Sequence, residues 1–263
     1  MSIIKLNEID LYYEESGKGY PLILISGLGG NSMSWQTVRH VLSRHYKVIV
    51  FDNRGAGRTT FSNNAYSIVD MADDLAGLMK YLRIDKAHIL GHSMGGFIAQ
   101  EFVLKYPEKT NKLILCSTME KLSNRNKILF ECMYNSWKNG LSRKVWFREL
   151  YCWVFSQKFF KDEEMVEFAV EFAVEYPYQQ TLAGFKGQLE ACVGFNSTEK
   201  LKEIHHETLV LAGEDDILIT PAESKTVKDK IFNSKMVLVS GAGHTPHVEN
   251  REEFSKKILD FLC

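Results

Sequence analysis

Short, almost continuous apolar runs recur along the chain, and amphipathic stretches at helical spacing separate them. The runs at 21–26, 47–51, 87–90, 112–117, 207–212 and 235–239 predict buried strands, because a strand covered on both faces is apolar at nearly every position. Residues 3–6 and 9–15 alternate instead, which predicts an antiparallel hairpin closed by Gly17 and Gly19. Helical periods run from about Ser34 to His45, Ile68 to Leu82, Phe97 to Tyr106 and Arg251 to Leu262. In the second of these, Met71, Leu75, Leu78, Met79 and Leu82 share one face, and Pro107 stops the third. Thr220-Pro221 opens another helix, with the threonine as cap. Strand and helix alternate as far as Ser117, which predicts an α/β fold whose mostly parallel sheet carries helices on both faces.

From about Met119 to Phe195 the character changes. Helical periods follow one another without a strand pattern between them, Gly140, Pro177 and Gly184 punctuate them, and Asp162 reads as a helix cap. About half of the aromatic residues lie here. The segment predicts a helical cap inserted after the sixth strand, so that 1–118 and 196–263 form the core and 119–195 a lid. Most of its aromatic side chains must pack between helices. A minority, with Trp137, Trp146 and Trp153 as candidates, are expected to line a site beneath.

Gly91-His92-Ser93-Met94-Gly95-Gly96 joins a predicted strand directly to a predicted helix. A serine on so sharp a turn sits in strained backbone, and its neighbours two residues away must lack side chains. Gly91 and Gly95 meet that demand, and Ser93 then stands at the tip of the sheet as a candidate nucleophile. The turn Asp52-Asn53-Arg54-Gly55-Ala56-Gly57-Arg58-Thr59 lacks the lysine and helix entry of a phosphate loop. It reads as a structural corner held by Asp52 and Arg54.

Composition narrows the possibilities. The 263 residues, 45% apolar and 25% charged, suit one large globular domain or two small ones. A net charge of −1 gives no bulk attraction to nucleic acid or membrane. There is no stretch of about 18 apolar residues and no signal-peptide pattern at the start. The five cysteines have no metal-type spacing, and no His, Asp and Glu set forms a ligand motif. The expectation is a cytoplasmic chain with free thiols, no metal and no cofactor.

Three loops follow predicted parallel strands and so should meet at the carboxyl edge of the sheet. They carry Ser93, then Asp215 and Asp216, then His244. Serine is a poor nucleophile at neutral pH. An imidazole must take its proton, and a carboxylate must fix the tautomer of that imidazole. The oxyanion of a tetrahedral intermediate needs two amide donors. The N–H of Met94 and the N–H of Leu28, in the glycine-rich loop after Ser26, are the candidates, and Gly27 lets that backbone approach a substrate.

Ser26-Gly27-Leu28-Gly29-Gly30, Asp52-x-Arg54-Gly55-x-Gly57-Arg58, the elbow around Ser93, Gly213-Glu214-Asp215-Asp216 and Gly241-x-Gly243-His244 together resemble the α/β-hydrolase superfamily. The likeness spans essentially the whole chain and is nearest to small capped esterases, enol-lactonases and carbon–carbon bond hydrolases. It implies Ser93 as nucleophile, His244 as base and Asp216 as acid, since relatives usually carry the acid three residues after the glycine. Ser26 departs from the histidine that often stands there. His247 is the alternative base, His92 packs beneath the elbow with a possible place at the substrate, and His88, His205 and His206 read as surface or strand-end residues. Cys116 reads as a buried small hydrophobe.

The expected activity is a serine esterase or thioesterase acting on a small apolar acyl or aryl substrate, as monomer or homodimer. Enol-lactone or carbon–carbon bond hydrolysis would need a cation for a substrate carboxylate, and Arg143, Lys144 and Arg148 are the candidates. The same cluster would suit an acyl carrier protein bearing the substrate. A ligand receptor on a hydrolase scaffold is the reading from another class, because fold alone does not give function.

Overall fold

Every apolar run becomes a strand. The computed structural model describes residues 2–6, 8–61 and 64–263. Its strands are β1 (Ser2–Leu6), β2 (Ile9–Ser16), β3 (Pro21–Ile25), β4 (Lys47–Phe51), β5 (Ala87–His92), β6 (Thr110–Cys116), β7 (Thr208–Gly213) and β8 (Ser234–Val239). They form one sheet in the order β1-β2-β4-β3-β5-β6-β7-β8. β2 pairs antiparallel with β1 and β4, and all other pairs are parallel. The β1–β2 connection includes residue 7, which lies outside the described residues. Gly17 and Gly19 sit instead in the link from β2 to β3.

Successive side chains of a strand point to opposite faces. Leu22, Leu24, Val48, Val50, Leu90 and Leu211 therefore pack against α1 (Gln36–Leu42) and α10 (Arg251–Leu262) on one side. Ile23, Ile25, Ile49, Ile89, Leu115 and Val210 pack against α2 (Ile68–Tyr81) and α3 (Met94–Lys105) on the other. Each such buried Leu or Ile contributes roughly 1.5–3 kcal/mol. Met71, Leu75, Leu78 and Met79 form the buried stripe of α2, whose start is fixed by a Ser67–Asp70 capping box. The first helix is shorter than its period suggested, because a 3-10 turn at Ser32–Trp35, capped by Asn31, precedes it.

Between β6 and β7 lie α4 (Asn124–Lys138), α5 (Arg143–Val154), α6 (Glu163–Glu175) and α7 (Leu182–Gly194). A single antiparallel bridge between Lys121 and Asn196 closes the base of this insertion. Asp162 caps α6, as expected. Gly184 does not interrupt a helix. It lies in the first turn of α7, where a Cβ would stand 2.2 Å from the carbonyl oxygen of Gly55. The absent side chain lets α7 pack directly on the 52–59 corner.

The chain ends with α8 (Pro221–Lys230), β8, a short helix α9 (Pro246–Glu249) and α10. A capping box of Thr220 and Glu223 starts α8. His88 is not a surface residue. It is 4% exposed, with its ring between Tyr20 and Tyr46. Among the described residues no helix is long and apolar enough to cross a membrane.

Candidate active site

The parallel register aligns the ends of the central strands. Ile25 pairs with Gly91, His92 with Cys116, Cys116 with Leu211, and Gly213 with Val239. The loops after β3, β5, β7 and β8 consequently open on one edge. Ser93 stands between β5 and α3 with φ 56° and ψ −119°, a region costing a non-glycine residue about 1–3 kcal/mol. The close packing explains the neighbours. A Cβ on Gly91 would lie 2.1 Å from Gly95 O, and one on Gly95 would lie 2.2 Å from Ile25 O. The Ser93 N–H donates to Cys116 O, and the Thr118 hydroxyl donates to Ser93 O. Buried Cys116 has its thiol pushed up by burial, which leaves it unreactive.

His244 Nδ1 lies 2.9 Å from Asp216 Oδ2. The other carboxylate oxygen, Oδ1, accepts the N–H groups of Leu218 and Ile219, both at 2.9 Å. A carboxylate so held accepts, so the proton sits on Nδ1 and leaves Nε2 as a base. Both side chains are buried, whereas Asp215 is exposed.

The two other histidines nearby are packed and neutral. His92 Nε2 lies 2.7 Å from the backbone oxygen of His244, which can only accept, so His92 carries its proton there. Burial, then His247 and His244 beside it, hold the His92 imidazolium well out of reach. His247 stacks on Trp35 at 4.6 Å and is pushed down to about 3, chiefly by burial. It faces Trp35, Phe254 and His92 rather than a carboxylate.

The loop after β3 turns tightly. The Gly30 N–H donates to Gly27 O, with Leu28 and Gly29 between them and Gly29 at φ 75°. Ser26, in the place where a histidine was expected, bonds through its hydroxyl to Asn31 O and Ser34 Oγ, and its carbonyl accepts from Asn53 Nδ2. The corner is held as its composition suggested. Asp52 accepts the N–H groups of Ser32 and Arg58, and Arg54 forms a two-point pair with Asp74.

A narrow cavity of about 20 Å³ opens at Ser93. Leu28, Met94, Phe97, Leu218 and Ile219 of the core line it, with Leu122, Asn126, Phe130 and Cys192 from the segment between β6 and β7. None of the three tryptophans does. Trp137 and Trp146 surround Arg143 and Phe185 inside the insertion, and half-buried Trp153 packs on the same core. Their size makes them helix–helix packing, and the smaller Leu122 and Phe130 reach the cavity. Gly27 and His92 also lie off its wall. A Cβ on Gly27 would touch Ser93 Cβ at 3.0 Å, and His92 supports His244 from beneath. Nothing in the helical period distinguished Asn126 or Phe130 from other inward positions.

The insertion grips three of these four loops, all but the Ser93 elbow. On the acid loop, Asn126 Nδ2 and Arg125 Nη2 donate to Leu218 O. On the histidine loop, the His244 N–H donates to Val154 O at 2.8 Å. Glu249 accepts from the N–H groups of Ser156 and Gly243. On the glycine-rich loop, the Gly29 N–H donates to Gln188 Oε1 at 3.0 Å. Among the described residues, no group of three or more His, Cys, Asp or Glu side chains is placed to hold a metal ion.

Comparison with known proteins follows the same lines. The model of the alpha/beta hydrolase fold family matches residues 20–251. The protein named "Putative carbamate hydrolase RutD" of Pantoea ananatis is 28% identical over 268 residues, covering 96% of this chain and 93% of its own. A thermophilic esterase from Thermogutta terrifontis is 28% identical with a TM-score of 0.84, over 97% of this chain and 93% of its own. The enol-lactonase from Burkholderia xenovorans LB400 has a TM-score of 0.90 over 99% of both chains, and at 22% identity this likeness is one of fold.

Proposed function

The chain belongs to the α/β-hydrolase family, and from that premise we propose that it is a serine hydrolase cleaving a carboxylic ester or thioester of a small apolar acyl group. One observation carries the reading. Ser93 and both candidate oxyanion residues, Leu28 and Met94, line a single apolar cavity. In this reading Ser93 Oγ attacks the acyl carbon as its proton passes to His244 Nε2. Asp216 stabilises the imidazolium, and the N–H groups of Leu28 and Met94 hold the oxyanion. Collapse of the intermediate breaks the bond to the leaving oxygen or sulfur, which takes the proton from His244. Water, deprotonated in turn by His244, attacks the acyl-enzyme, and the Ser93–acyl bond breaks as His244 returns that proton to Ser93 Oγ and the acid leaves.

The helices between β6 and β7 act here as the cap. The cavity holds little more than one water-sized sphere, so Leu122, Phe130 or a neighbour must shift to admit an acyl chain. No charged side chain lines it. This favours a neutral acyl group over the carboxylate of an enol-lactone or ring-cleavage product. The three candidate cations are engaged elsewhere: Arg143 is enclosed by Trp137, Trp146 and Phe147, Lys144 pairs with Glu167 and Glu171, and Arg148 pairs with Glu167. An acyl carrier protein would meet those acids along with the bases. The esterase relative supports the choice of bond; the RutD relative, by its name, points to a carbamate as the second candidate.

The test is hydrolysis of p-nitrophenyl esters of graded acyl length by wild type and Ser93→Ala, with intact mass after a fluorophosphonate. We expect an optimum at short chains, a fall of roughly 10⁴–10⁶ in turnover for the variant, and one label on Ser93. Absence of both turnover and labelling would overturn the reading.

A further inference from the structure

We propose that Gln188, on the insertion and far from Ser93 in sequence, is a positioning residue that sets the oxyanion donor of the glycine-rich loop. The inference rests on the reading of Leu28 as that donor. Gln188 is fully buried, and every polar atom of its side chain is used. Oε1 accepts from the Gly29 N–H at 3.0 Å and from Gln180 Nε2 at 2.8 Å. Nε2 donates to Arg54 O at 2.9 Å. The amide has one orientation. Turned over, its NH₂ would face two donors and its oxygen would face a carbonyl.

The turn it holds is a soft one. Gly29 at φ 75° has the conformation that a type II turn requires at its third residue. Glycine lets the middle peptide, Leu28–Gly29, flip at little steric cost. The bond to Gln188 fixes that peptide by occupying the Gly29 N–H. Among the described residues the Leu28 N–H has no protein acceptor, which leaves it for a substrate oxygen. Without Gln188 the half-buried Gly29 N–H would lose its protein acceptor, and nothing would hold the turn against shifting. The Leu28 N–H belongs to the adjoining Gly27–Leu28 peptide, and a shift of the turn would cost it its fixed direction relative to Met94 N–H.

The backbone of α7 is shaped for this reach. A Cβ on Gly184 would meet Gly55 O at 2.2 Å, and one on Gly187 would meet the Tyr66 ring at 2.8 Å. The helix therefore sits against the corner, one turn before the glutamine that crosses to Arg54 and Gly29. Gln180 offers the internal control. It donates to Gly55 O and to Gln188, and so helps fasten the insertion to the corner without touching the turn through a hydrogen bond of its own.

The experiment compares Gln188→Met and Gln180→Met with wild type. Methionine keeps the length of the side chain and removes its amide. For Gln188→Met we expect kcat to fall about 10–100-fold with KM within about threefold, less than the loss of a whole oxyanion donor. Affinity for a trifluoromethyl ketone, whose adduct with Ser93 carries an oxyanion, should fall by the same factor as kcat. Gln180→Met should keep kcat within about threefold at a similar loss of Tm. Equal kcat losses in both variants, or a Gln188→Met enzyme with unchanged kcat, would overturn the inference. A wild type that neither turns over esters nor binds the ketone would instead overturn the hydrolase reading.

Discussion

The carboxylate of Asp216 meets His244 Nδ1 at 2.9 Å, while Asp215, one residue earlier, is exposed and bonds through its N–H to Ala242 O. Two adjacent acids thus have separate fates. Asp216→Asn is expected to lower kcat about 10⁴-fold, because an amide in that place favours the wrong histidine tautomer. Asp215→Asn should stay within about twofold. Steady-state kinetics on the best p-nitrophenyl ester measures both, and the reverse order would move the acid to Asp215.

The cavity wall makes a second pair of variants informative. Phe130→Ala should move the optimum toward longer acyl chains, at a cost of about 3–5 kcal/mol in stability. Trp146→Phe strips the indole N–H that donates to Met133 O, a carbonyl within α4, and takes one ring away from a buried side chain. It should cost about 1–3 kcal/mol and leave the chain-length profile where it was. A shifted profile in the tryptophan variant would place that ring at the substrate.

Buried histidines give the fold an acid-sensitive limb. His88 is pushed down to about 4, chiefly by burial with Lys112 adding to it, and His247 to about 3. The unfolded chain takes up these protons near pH 6.5. Between that pH and about 4 the unfolded state therefore holds more protons, so stability falls as the pH drops. Each histidine contributes a slope of about 1.4 kcal/mol per pH unit. His88 lies at the far end of β5 from Ser93, so His88→Leu should flatten the limb by one such slope without altering the pH profile of kcat. Urea unfolding between about pH 4.5 and 6.5 reads the difference, and an unchanged slope would mean that native His88 is already protonated there.

Glu249 joins Gly243, directly before His244, to Ser156 of the insertion. Burial raises its carboxyl, and the N–H groups it accepts oppose that. In Glu249→Gln one acceptor becomes an NH₂ facing an N–H. The expected result is a loss of about 1–3 kcal/mol in stability and about tenfold in kcat, with KM little changed. Thermal melts and kinetics on one preparation test it; full activity would show that His244 is held without this carboxylate.

The sheet, its helices and the meeting of the three loops were legible because they depend on local pattern. Apolar runs mark strands covered on both faces, and a serine between Gly91 and Gly95 marks a turn with no room for side chains. The choice between Asp215 and Asp216 came only from likeness to relatives; the geometry that separates them depends on which way a loop turns. The cavity wall was not legible. Trp137 and Trp146 stood out by size, yet size made them the core of the insertion, and Leu122, Asn126 and Phe130 carry no distinguishing signal. His88 does stand at a strand end, but its burial was not legible, because Tyr20 and Tyr46, which cover its ring, are distant in sequence. Gln188 had no sequence signal at all, since its partners are backbone groups more than a hundred residues away.

Because Asn126, Val154 and Gln188 each end on a different loop of the site, the segment between β6 and β7 is not an interchangeable module. A helical segment grafted in its place would have to present a backbone carbonyl to the His244 amide and a side-chain acceptor to the Gly29 amide at the same positions. Leu122, Phe130 and Cys192 line the cavity without such a bond to a loop. Engineering of this chain should proceed by point changes there, and a chimera should fail in turnover before it fails in solubility.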